Sequence, residues 1–578
     1  MAELFRAKSG DLTASVPGGL LHSRYDPRRE AERYLERALG RGSGDGPSDG
    51  PERRSAPATV LLLGVGLGYL ISAVRRHLPA CHLIAVSVLG IVRPEHRRAA
   101  DVYVDLSAGD PAELLSRAVR PADVAGLEAL EWGPELRAAP RAGEAARLAL
   151  RELAARHNAE LATTGFFGRR YIRNAVRNLL FASRPRTTAP GEKPVCIAAS
   201  GPGLERACRW IRENRTHIEL WALSSAAPAL TARGITPDLV VHQDAGYYAT
   251  LHLAEVVRLD GGDAGEPRTG SGPPAAAALP ILMPATAALP PGRLRSAPII
   301  FHQGTRIEEE LLTALGIEPR RTTETGTVAA TATLLALAHS PGTVYLAGLD
   351  LCREDIRAHA TPHAFEPYLS RGESRLRPFY SGLAADAFDR SVPRAGGGPG
   401  ERPVRGERSL ELYARWFEHL PAPLARRLRR VAPSPVDIGI EPVDPADAPA
   451  AGGTGDRSGT GGRSGTGGRS GASAEHPRWE PLPLPPIPQR VAALRAVVAE
   501  WKEELRGLTA GHTDLEAAGR ASELAYIIAA ADYVSAVAAG RRADDAGRAR
   551  SLRRISQEGE RLFARIEHVL DAVAERAT

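Results

Sequence analysis

Apolar and polar residues follow one another in blocks of strand length and helix length. Residues 59–63 form a continuous apolar run, which is typical of a parallel strand buried on both faces. A glycine-rich turn at 64–68 follows, and the downstream pattern predicts a helix at 69–78, strands at 82–87 and 101–105, and helices at 111–119 and 144–158. This order is that of a βαβ unit and its continuation. We therefore predict a Rossmann-like α/β domain over residues 1–155.

The same alternation starts again further along the chain. A helix at 169–181 and a proline-bearing connector at 184–194 precede a strand at 195–199, a turn at 200–203 and a helix at 204–213. Further strands are predicted at 219–223, 238–242, 281–283, 299–301 and 343–347, with helices at 226–233 and 327–338. Strands that alternate with helices favour a mostly parallel, doubly wound sheet.

The composition changes sharply after residue 443. The hexapeptide Gly-Thr-Gly-Gly-Arg-Ser occurs at 459–464 and again at 465–470, and such a sequence buries too little to fold. Helices are then predicted at 491–508, 514–537 and 548–574. The predicted organisation is a Rossmann-like domain at 1–155, a helical bridge and linker at 156–190, a central α/β domain at 191–442, a flexible linker at 443–488 and a helical region at 489–578.

Length and composition predict a soluble protein of several domains. The chain has 578 residues, of which 43% are hydrophobic and 25% charged. The net charge is +6, and among 74 basic residues only Lys8, Lys193 and Lys502 are lysines. Because the arginines are spread along the whole chain, they indicate a codon bias and no nucleic-acid partner is predicted.

Cysteine usage and hydropathy predict a cytoplasmic protein without a membrane span. The four cysteines are far apart and form no C-x-x-C pair, which argues against a zinc ribbon and a disulfide scaffold. The amino terminus has no apolar signal region. Residues 58–74 carry no charge, but their alternating glycines fit a strand, turn and helix better than a span.

The turn at 200–203, Ser-Gly-Pro-Gly, is the strongest site motif. Glycines let the backbone approach a ligand closely, and the following helix offers N–H groups that suit a phosphate. The alternative is a tight turn without a ligand. Two aspartates, Asp244 and Asp350, follow predicted strands and would lie at the same carboxyl edge, where ligands of open α/β sheets bind. Either could instead be a helix cap or a turn residue.

These motifs together resemble a known family. The resemblance rests on residues 200–204, Ser224 and Ser225, residues 234–238 with Asp244, residues 325–328 and residues 346–350, and on a segment at 21–33. Across about residues 20–370 the chain resembles the motility-associated-factor (Maf) proteins, which are flagellin glycosyltransferases with an MptE-like domain. Gly203 departs from the family, which usually has serine there, and His242, Gln243 and Leu349 are also unusual.

The resemblance implies a central domain similar to bacterial sialyltransferases. Such an enzyme would move a nonulosonic acid, such as pseudaminic or legionaminic acid, from its CMP-activated form to Ser or Thr hydroxyls of flagellin. It would require no cofactor. The implied nucleotide-binding residues are Ser200, Gly201, Pro202, Gly203, Ser224, Ser225, Asp244 and Asp350, with Asp238, Gly326 and Thr327 also lining the cleft.

Transfer to a hydroxyl needs a general base, and an imidazole near its ordinary pKa suits that task. His359 and His363 follow Asp350 and are the candidates, and His359-Ala360 resembles a pair at that place in the family. The alternative is that both are surface loop residues. A zinc pair is disfavoured because Pro362 interrupts a helix there. Three arginines could meet the charge on the leaving group: Arg353, Arg357 and Arg371.

The turn at 64–68, Gly-Val-Gly-Leu-Gly, resembles the glycine loop of nucleotide-binding Rossmann units. The acidic residue that would hold ribose hydroxyls at the end of the second strand is absent, since Ser87 stands there. We therefore predict a degenerate Rossmann-like scaffold.

Two other functions stay open. The other branch of the family implies a 6-hydroxymethylpterin diphosphokinase that uses ATP and Mg²⁺, with Asp238, Asp244 and Asp350 holding the metal. That activity requires the carboxylates to cluster. A non-catalytic flagellar assembly factor is the third possibility. The long helical tail favours a protein acceptor over a small pterin.

Overall fold

The structure, a computed structural model, describes residues 2–39, 56–124, 126–254, 279–290, 292–293, 298–303, 305–322, 325–394, 403–434, 436–443, 479–510 and 514–577. The chain forms two compact units. Unit 1 comprises Met1–Arg169 and Val498–Glu567, and unit 2 comprises Arg170–Val497 and His568–Thr578. The glycine-rich repeats of the predicted linker lie outside the described residues.

Unit 1 contains a four-stranded parallel sheet in the order Val102–Asp105, His82–Ser87, Thr59–Leu63, Leu127–Glu131. The strands predicted at 59–63 and 82–87 are confirmed residue for residue. Val60 and Leu62 belong to one buried cluster, and Leu61 and Leu63 belong to another. Because the strand is covered on both faces, every position in it is apolar or buried.

Other elements of unit 1 precede the sheet, connect its strands or follow its last strand. An antiparallel sheet comes first, with strands Glu3–Arg6, Leu12–Val16 and Gly19–Leu20. The helices are Pro27–Ala38, Tyr69–His77, Pro94–Arg97, Leu106–Ala108, Pro111–Ala118, Pro121–Val124 and Gly133–Ala138. The first begins at Asp26, whose side chain accepts a hydrogen bond from the Arg29 amide.

One helix, Pro140–Phe181, is 42 residues long and contains both of the helices predicted at 144–158 and 169–181. The border predicted between residues 155 and 156 falls inside it, whereas the two compact units divide after Arg169. The helical periodicity continues through the intervening residues, so the chain does not break there.

Three more helices form the carboxyl-terminal region, Ile487–Thr509, Arg520–Arg541 and Asp545–Ala577, as predicted within a few residues. Of the described helices, Arg520–Arg541 is long and apolar enough to cross a membrane. Of the most apolar 18-residue stretch of this helix, 61% is buried within the protein, as in the core helix of a folded unit.

Unit 2 is built on a ten-stranded sheet. Nine strands follow the order Leu428–Val431, Val344–Ala347, Val195–Ala198, Glu219–Leu223, Leu239–Val241, Ile281–Pro284, Ile299–Gln303, Pro185–Thr188, Trp479–Pro481, and Arg320–Arg321 pairs with Ile299–Gln303. Every pair is parallel except the one made by Trp479–Pro481. The predicted α/β class, with mostly parallel sheets, is therefore confirmed. Two strands lie where connectors were predicted: Pro185–Thr188 within 184–194 and Trp479–Pro481 within 443–488.

Helices cover both faces of this sheet. The described helices of unit 2 between residues 204 and 425 are Leu204–Glu213, Ala227–Thr231, Tyr247–Leu253, Arg306–Ala314, Val328–His339, Glu366–Leu369, Ser370–Gly372, Phe379–Arg390, Arg408–Glu418 and Ala422–Ala425. Val195 and Ile197 pack in one cluster with Leu335, while Cys196 and Ala198 pack in another with Leu204. A small antiparallel sheet joins Arg353–Glu354, Val404–Gly406 and Val392–Pro393. All four cysteines of the chain are buried and free.

A buried ion pair ties the helix Arg520–Arg541 to the parallel sheet of unit 1. The Arg541 guanidinium donates to Asp123 Oδ1 at 2.6 Å and to Thr59 Oγ1 at 2.6 Å. The side chain of Asp123 is fully buried and that of Arg541 is 6% exposed. Arg120 also approaches Asp123, with 3.3 Å between Nη2 and Oδ1.

We expect Arg541→Met to destabilise the protein by about 3 kcal/mol, because it leaves the buried Asp123 carboxylate without its principal cation. Urea unfolding of the full chain measures the loss. Arg550→Met is the control, since Arg550 is exposed on the next helix, and it should change stability by less than about 0.5 kcal/mol. Equal losses of stability in Arg541→Met and Arg550→Met would contradict a stabilising role of the Arg541–Asp123 ion pair.

Candidate functional site

Four neighbouring parallel strands of unit 2 end at the same edge of the sheet: Val344–Ala347, Val195–Ala198, Glu219–Leu223 and Leu239–Val241. In the same order, the predicted site residues that follow these ends are Asp350, Ser200, Ser224 and Asp244. The structure therefore brings all four to the carboxyl edge, where open α/β sheets bind ligands.

Two backbone N–H groups of the turn at 200–203 donate to acceptors within the protein. The Gly203 amide donates to Asp350 Oδ2. The Gly201 amide donates to the Gly348 carbonyl at 2.9 Å, and the Leu204 amide donates to the Gly201 carbonyl at 3.0 Å. Pro202 has no N–H. The anion at this helix N-terminus is thus the carboxylate of Asp350, in the place that the sequence predicted for a phosphate.

Two glycines of the turn are required by this contact. A Cβ atom on Gly201 would lie 2.5 Å from Asp350 Oδ2, and one on Gly203 would lie 2.5 Å from Asp350 Oδ1. Gly348, with a φ of +65°, is equally constrained, since its Cβ would lie 2.3 Å from the Ala199 carbonyl oxygen. The absence of a side chain at Gly203 therefore makes room for a carboxylate of the same chain.

Asp350 is only 2% exposed. Burial raises the pKa of its carboxyl to about 6, against the lowering effect of the Gly203 amide. The Ser434 hydroxyl donates to the Asp350 carbonyl at 2.7 Å. The structure thus places Asp350 as a buried residue that positions the turn.

Side-chain hydroxyls and an imidazole form the accessible part of this edge. Ser225 Oγ donates to Ser200 Oγ at 3.0 Å, and a hydrogen bond of 3.1 Å joins Ser200 Oγ to His359 Nδ1. The Ala360 amide donates to the Ser200 carbonyl at 2.8 Å. The loop that carries His359 is therefore fastened to the turn at two points.

Three imidazoles lie together beside this turn. His359 and His363 stack with ring centroids 4.1 Å apart and an interplanar angle of 6°. His252 lies 5.6 Å from His363 and 4.8 Å from the ring of Phe365, centroid to centroid. We call Ser200, Ser225, His252, His359 and His363 the serine–imidazole cluster. The sequence predicted all of them except His252, which lies in the short helix Tyr247–Leu253 without a recognisable motif.

Desolvation by the surrounding protein keeps these rings neutral at pH 7. It lowers the pKa of His252 and of His359 to about 4, and the pKa of His363 to about 3. His359 is nevertheless exposed to solvent as a residue. The expectation of an imidazole near its ordinary pKa is therefore wrong for the ligand-free site.

Some polar atoms of the cluster have no partner within the described part of the chain. Both ring nitrogens of His252 and Nε2 of His363 are buried and make no hydrogen bond there. Buried polar atoms in folded proteins are almost always hydrogen-bonded. These nitrogens can therefore form a hydrogen bond with a polar group that the described residues do not supply.

Ser224 and Asp244 differ in exposure and in their histidine neighbours. The Nε2–H of His242 donates to the Ala288 carbonyl at 2.8 Å, so in the neutral ring Nδ1 accepts from Ser224 Oγ at 3.1 Å. Asp244 is half exposed, and its Oδ2 lies 4.0 Å from Nδ1 of His252. Ser224 is thus held by a buried histidine, whereas Asp244 offers its carboxylate at the rim.

The other predicted lining residues, Asp238, Gly326 and Thr327, do not belong to the serine–imidazole cluster. Asp238 precedes its strand and is therefore at the opposite edge, where it accepts from the Leu220 amide at 2.7 Å. Gly326 and Thr327 precede the helix Val328–His339. That helix leads into the strand Val344–Ala347, so its start lies on the side of the carboxyl edge.

Of the three predicted arginines, two form ion pairs with carboxylates of the protein and the third is exposed. Arg353 Nη2 lies 2.9 Å from Asp386 and 3.0 Å from Glu407, while Arg357 Nη1 lies 2.9 Å from Glu205. Arg371 is exposed on the turn Ser370–Gly372. Among the described residues, no three His, Cys, Asp or Glu side chains group closely enough to hold a metal ion.

Comparisons with known proteins agree with this architecture. Residues 169–262 match the family model described as 6-hydroxymethylpterin diphosphokinase MptE-like. An uncharacterized protein of Treponema pallidum (strain Nichols) is 30% identical over 274 residues, which is 47% of this chain and 52% of that protein. The chain thus matches about half the length of this curated relative.

The solved structure of the Maf glycosyltransferase from Magnetospirillum magneticum AMB-1 superposes with a TM-score of 0.55. The superposition covers 99% of this chain and 92% of that protein at 16% identity, so the likeness is one of fold. The predicted resemblance is confirmed at two levels: residues 169–262 match the MptE-like family model, and the fold of the chain is similar to that of a Maf glycosyltransferase.

We expect Gly203→Ala to cost about 1–3 kcal/mol, because the added methyl group overlaps the buried Asp350 carboxylate. In an Asp350→Ala background the same substitution should cost much less, which a double-mutant cycle by urea unfolding measures. The control is Gly382→Ala, where nothing lies within 4 Å of the new Cβ in an exposed helix. Additive losses from Gly203→Ala and Asp350→Ala would show that the two positions do not interact.

Proposed function

We propose, from a fold shared with a Maf glycosyltransferase, that this protein transfers a nonulosonic sugar from a CMP donor to Ser or Thr hydroxyls of flagellin in the cytoplasm. The observation that carries the proposal is the serine–imidazole cluster at the carboxyl edge of the unit 2 sheet. It combines hydroxyl donors, partnerless ring nitrogens and an accessible histidine in one place. No resident cofactor is required.

The donor carries two anionic groups, the CMP phosphate and the sugar carboxylate. The Gly201 and Gly203 amides are occupied, and Arg353 and Arg357 are held in ion pairs. The cluster supplies the remaining donors through its serine hydroxyls and ring nitrogens. An anion beside an imidazole favours the charged ring, so donor binding raises the pKa of these histidines.

The chemistry then needs one proton acceptor. The acceptor hydroxyl oxygen forms a bond to the anomeric carbon, and the bond from that carbon to the phosphate oxygen breaks, so the electron pair leaves with CMP. His359 takes the hydroxyl proton at Nε2. In that tautomer Nδ1 carries a hydrogen and donates it to Ser200 Oγ, the partner observed at 3.1 Å. The Ser225 hydroxyl stays bonded to Ser200, so it fixes this arrangement.

Exposed aromatic residues beside the cluster support a polypeptide acceptor. Tyr248 and Tyr368 are 58% and 48% exposed, and their ring centroids are 5.9 Å apart. They belong to the same two segments as His252 and His363. Tyrosine is enriched where proteins bind one another, so a flagellin segment could be held here with its hydroxyl near His359.

The MptE-like family model makes a diphosphokinase the second candidate. Its metal would need several carboxylates in one octahedral site. Asp238 lies at the opposite edge of the sheet and Asp350 is buried against Gly203. Asp244 alone of the three presents an exposed carboxylate at the carboxyl edge, so this placement favours the transferase.

Calorimetric titration with CMP and with ATP, each with and without Mg²⁺, tests the proposed function. We expect CMP to bind with or without metal, and His359→Ala and Ser200→Ala to weaken it about tenfold through loss of one or two hydrogen bonds. His217→Ala is the matched control, since that histidine is exposed on the surface of unit 2. Metal-dependent ATP binding without CMP binding would favour the diphosphokinase, and binding of neither would favour a non-catalytic role.

We also expect CMP binding to take up protons at pH 6. The free ring of His252 protonates only near pH 4, so an anion that charges this ring must draw a proton from solution, whereas His359 must stay neutral to act as the base. Affinity should therefore strengthen as the pH falls from about 7 towards 4, by at most about tenfold per pH unit and proton. Below about pH 4 it should level off, because the free ring is already charged.

Calorimetry in two buffers of different ionisation enthalpy measures this uptake directly. The groups that act on these rings include Asp244 beside His252, and Arg353 and Glu407 near His359. His252→Gln should reduce the buffer dependence, whereas His217→Ala should leave it unchanged. Equal heats in both buffers with the unaltered protein would disprove proton-linked binding.

A further inference from the structure

The glycine turn of unit 1, residues 64–68, uses all five of its backbone N–H groups inside the protein. The Gly64 amide donates to the Val86 carbonyl at 2.8 Å, and the Gly68 amide donates to the carbonyl of Val65 at 2.9 Å. The Leu67 amide donates to His22 Nε2 at 2.9 Å. The other two, of residues 65 and 66, donate to one carboxylate oxygen, as described next.

That oxygen is Oε2 of Glu135, which lies 2.5 Å from the Val65 nitrogen and 2.6 Å from the Gly66 nitrogen. The second oxygen, Oε1, accepts from three groups at the end of the second strand: Ser87 Oγ at 3.1 Å, the Val88 amide at 2.7 Å and the Leu89 amide at 2.8 Å. Glu135 is fully buried. Five neutral donors thus hold a single carboxylate.

The glycines of this turn make room for protein side chains. A Cβ on Gly66 would lie 2.2 Å from His22 Nε2, and one on Gly68 would lie 2.5 Å from the Cβ of His96. Both have positive φ, +56° and +105°, which glycine adopts without strain. The close approach that such turns offer to a ligand is therefore made here by residues of the same chain.

Glu135 accepts hydrogen bonds from the glycine turn and from the end of the second strand, and both regions bind parts of nucleotides in open α/β sheets. The amides of a glycine turn after the first strand suit an anionic group, and the end of the second strand is where ribose hydroxyls are held. Glu135 satisfies both places with one side chain, and its carboxylate has the charge and the planar pair of oxygens that these donors require.

We propose that this corner of unit 1 is a carboxylate-binding site whose occupant is the side chain of Glu135, and that small carboxylates bind there once that side chain is removed. Unit 1 then binds no nucleotide at its glycine turn. The proposal is independent of the glycosyl transfer proposed for unit 2, since it concerns different residues and a different reaction partner.

Chemical rescue of Glu135→Ala in the full chain tests the proposal. The truncation leaves five buried donors without an acceptor, so the unfolding midpoint should fall. Formate or acetate should raise the midpoint of this variant saturably, compared with chloride at the same ionic strength. The unaltered protein and Glu36→Ala, which changes an exposed glutamate of unit 1, should show no saturable shift.

Glu135→Gln is the second variant and keeps the shape of the side chain while removing its charge. It should also lower the midpoint, because its amide group can accept through one oxygen only. Should Glu135→Ala fail to fold, the unfolding midpoint of Glu135→Gln tests the proposal. A midpoint equal to that of the unaltered protein would overturn it. If Glu135→Ala folds but formate and acetate do not raise its unfolding midpoint, the proposal is also overturned. ADP or NAD binding that is lost on Gly66→Ala would equally overturn it.

Discussion

The contact between the Asp350 carboxylate and the glycine turn at 200–203 sets the geometry of the site in unit 2. Asp350 is 2% exposed, and it accepts the Gly203 amide at the start of the helix Leu204–Glu213. A buried carboxylate is tolerated only where hydrogen bonds compensate for its lost hydration. The turn must therefore approach it closely, and this requirement excludes a side chain at Gly201 and at Gly203.

That contact uses the Gly203 amide, and the Gly348 carbonyl takes the Gly201 amide, so side chains supply most of the polar groups of the edge. Ser200 belongs to the turn and is held in place with it, while His359 and His363 come from a loop hydrogen-bonded to the same residue. Loops on a rigid sheet commonly carry reactive groups in this way. The cluster is accordingly made of hydroxyls and neutral imidazoles, which suit an anionic donor and a hydroxyl acceptor.

In both units a buried carboxylate accepts backbone N–H groups of the turn between a strand and a helix. In unit 1 the carboxylate of Glu135 receives the amides of Val65 and Gly66, and in unit 2 Asp350 receives that of Gly203. In each case the carboxylate comes from a distant part of the sequence and is buried. A glycine-rich turn before a helix therefore indicates an anion-holding corner in this protein, but not whether the anion is a ligand or a side chain.

The sequence by itself determined the central strands and their helices, since apolar runs, glycine turns and helix periodicity are local properties. Leu204–Glu213 and Glu219–Leu223 were predicted residue for residue. It also brought Ser200, Asp244, Asp350 and His359 to one edge, because parallel strands share a direction. Only the tertiary structure showed the edge strand Trp479–Pro481, which pairs with Thr188 across most of unit 2. The tertiary structure alone likewise decided which aspartate is buried, where His252 lies and what occupies each glycine turn, because hydrogen-bond partners and desolvation depend on residues far apart in the chain.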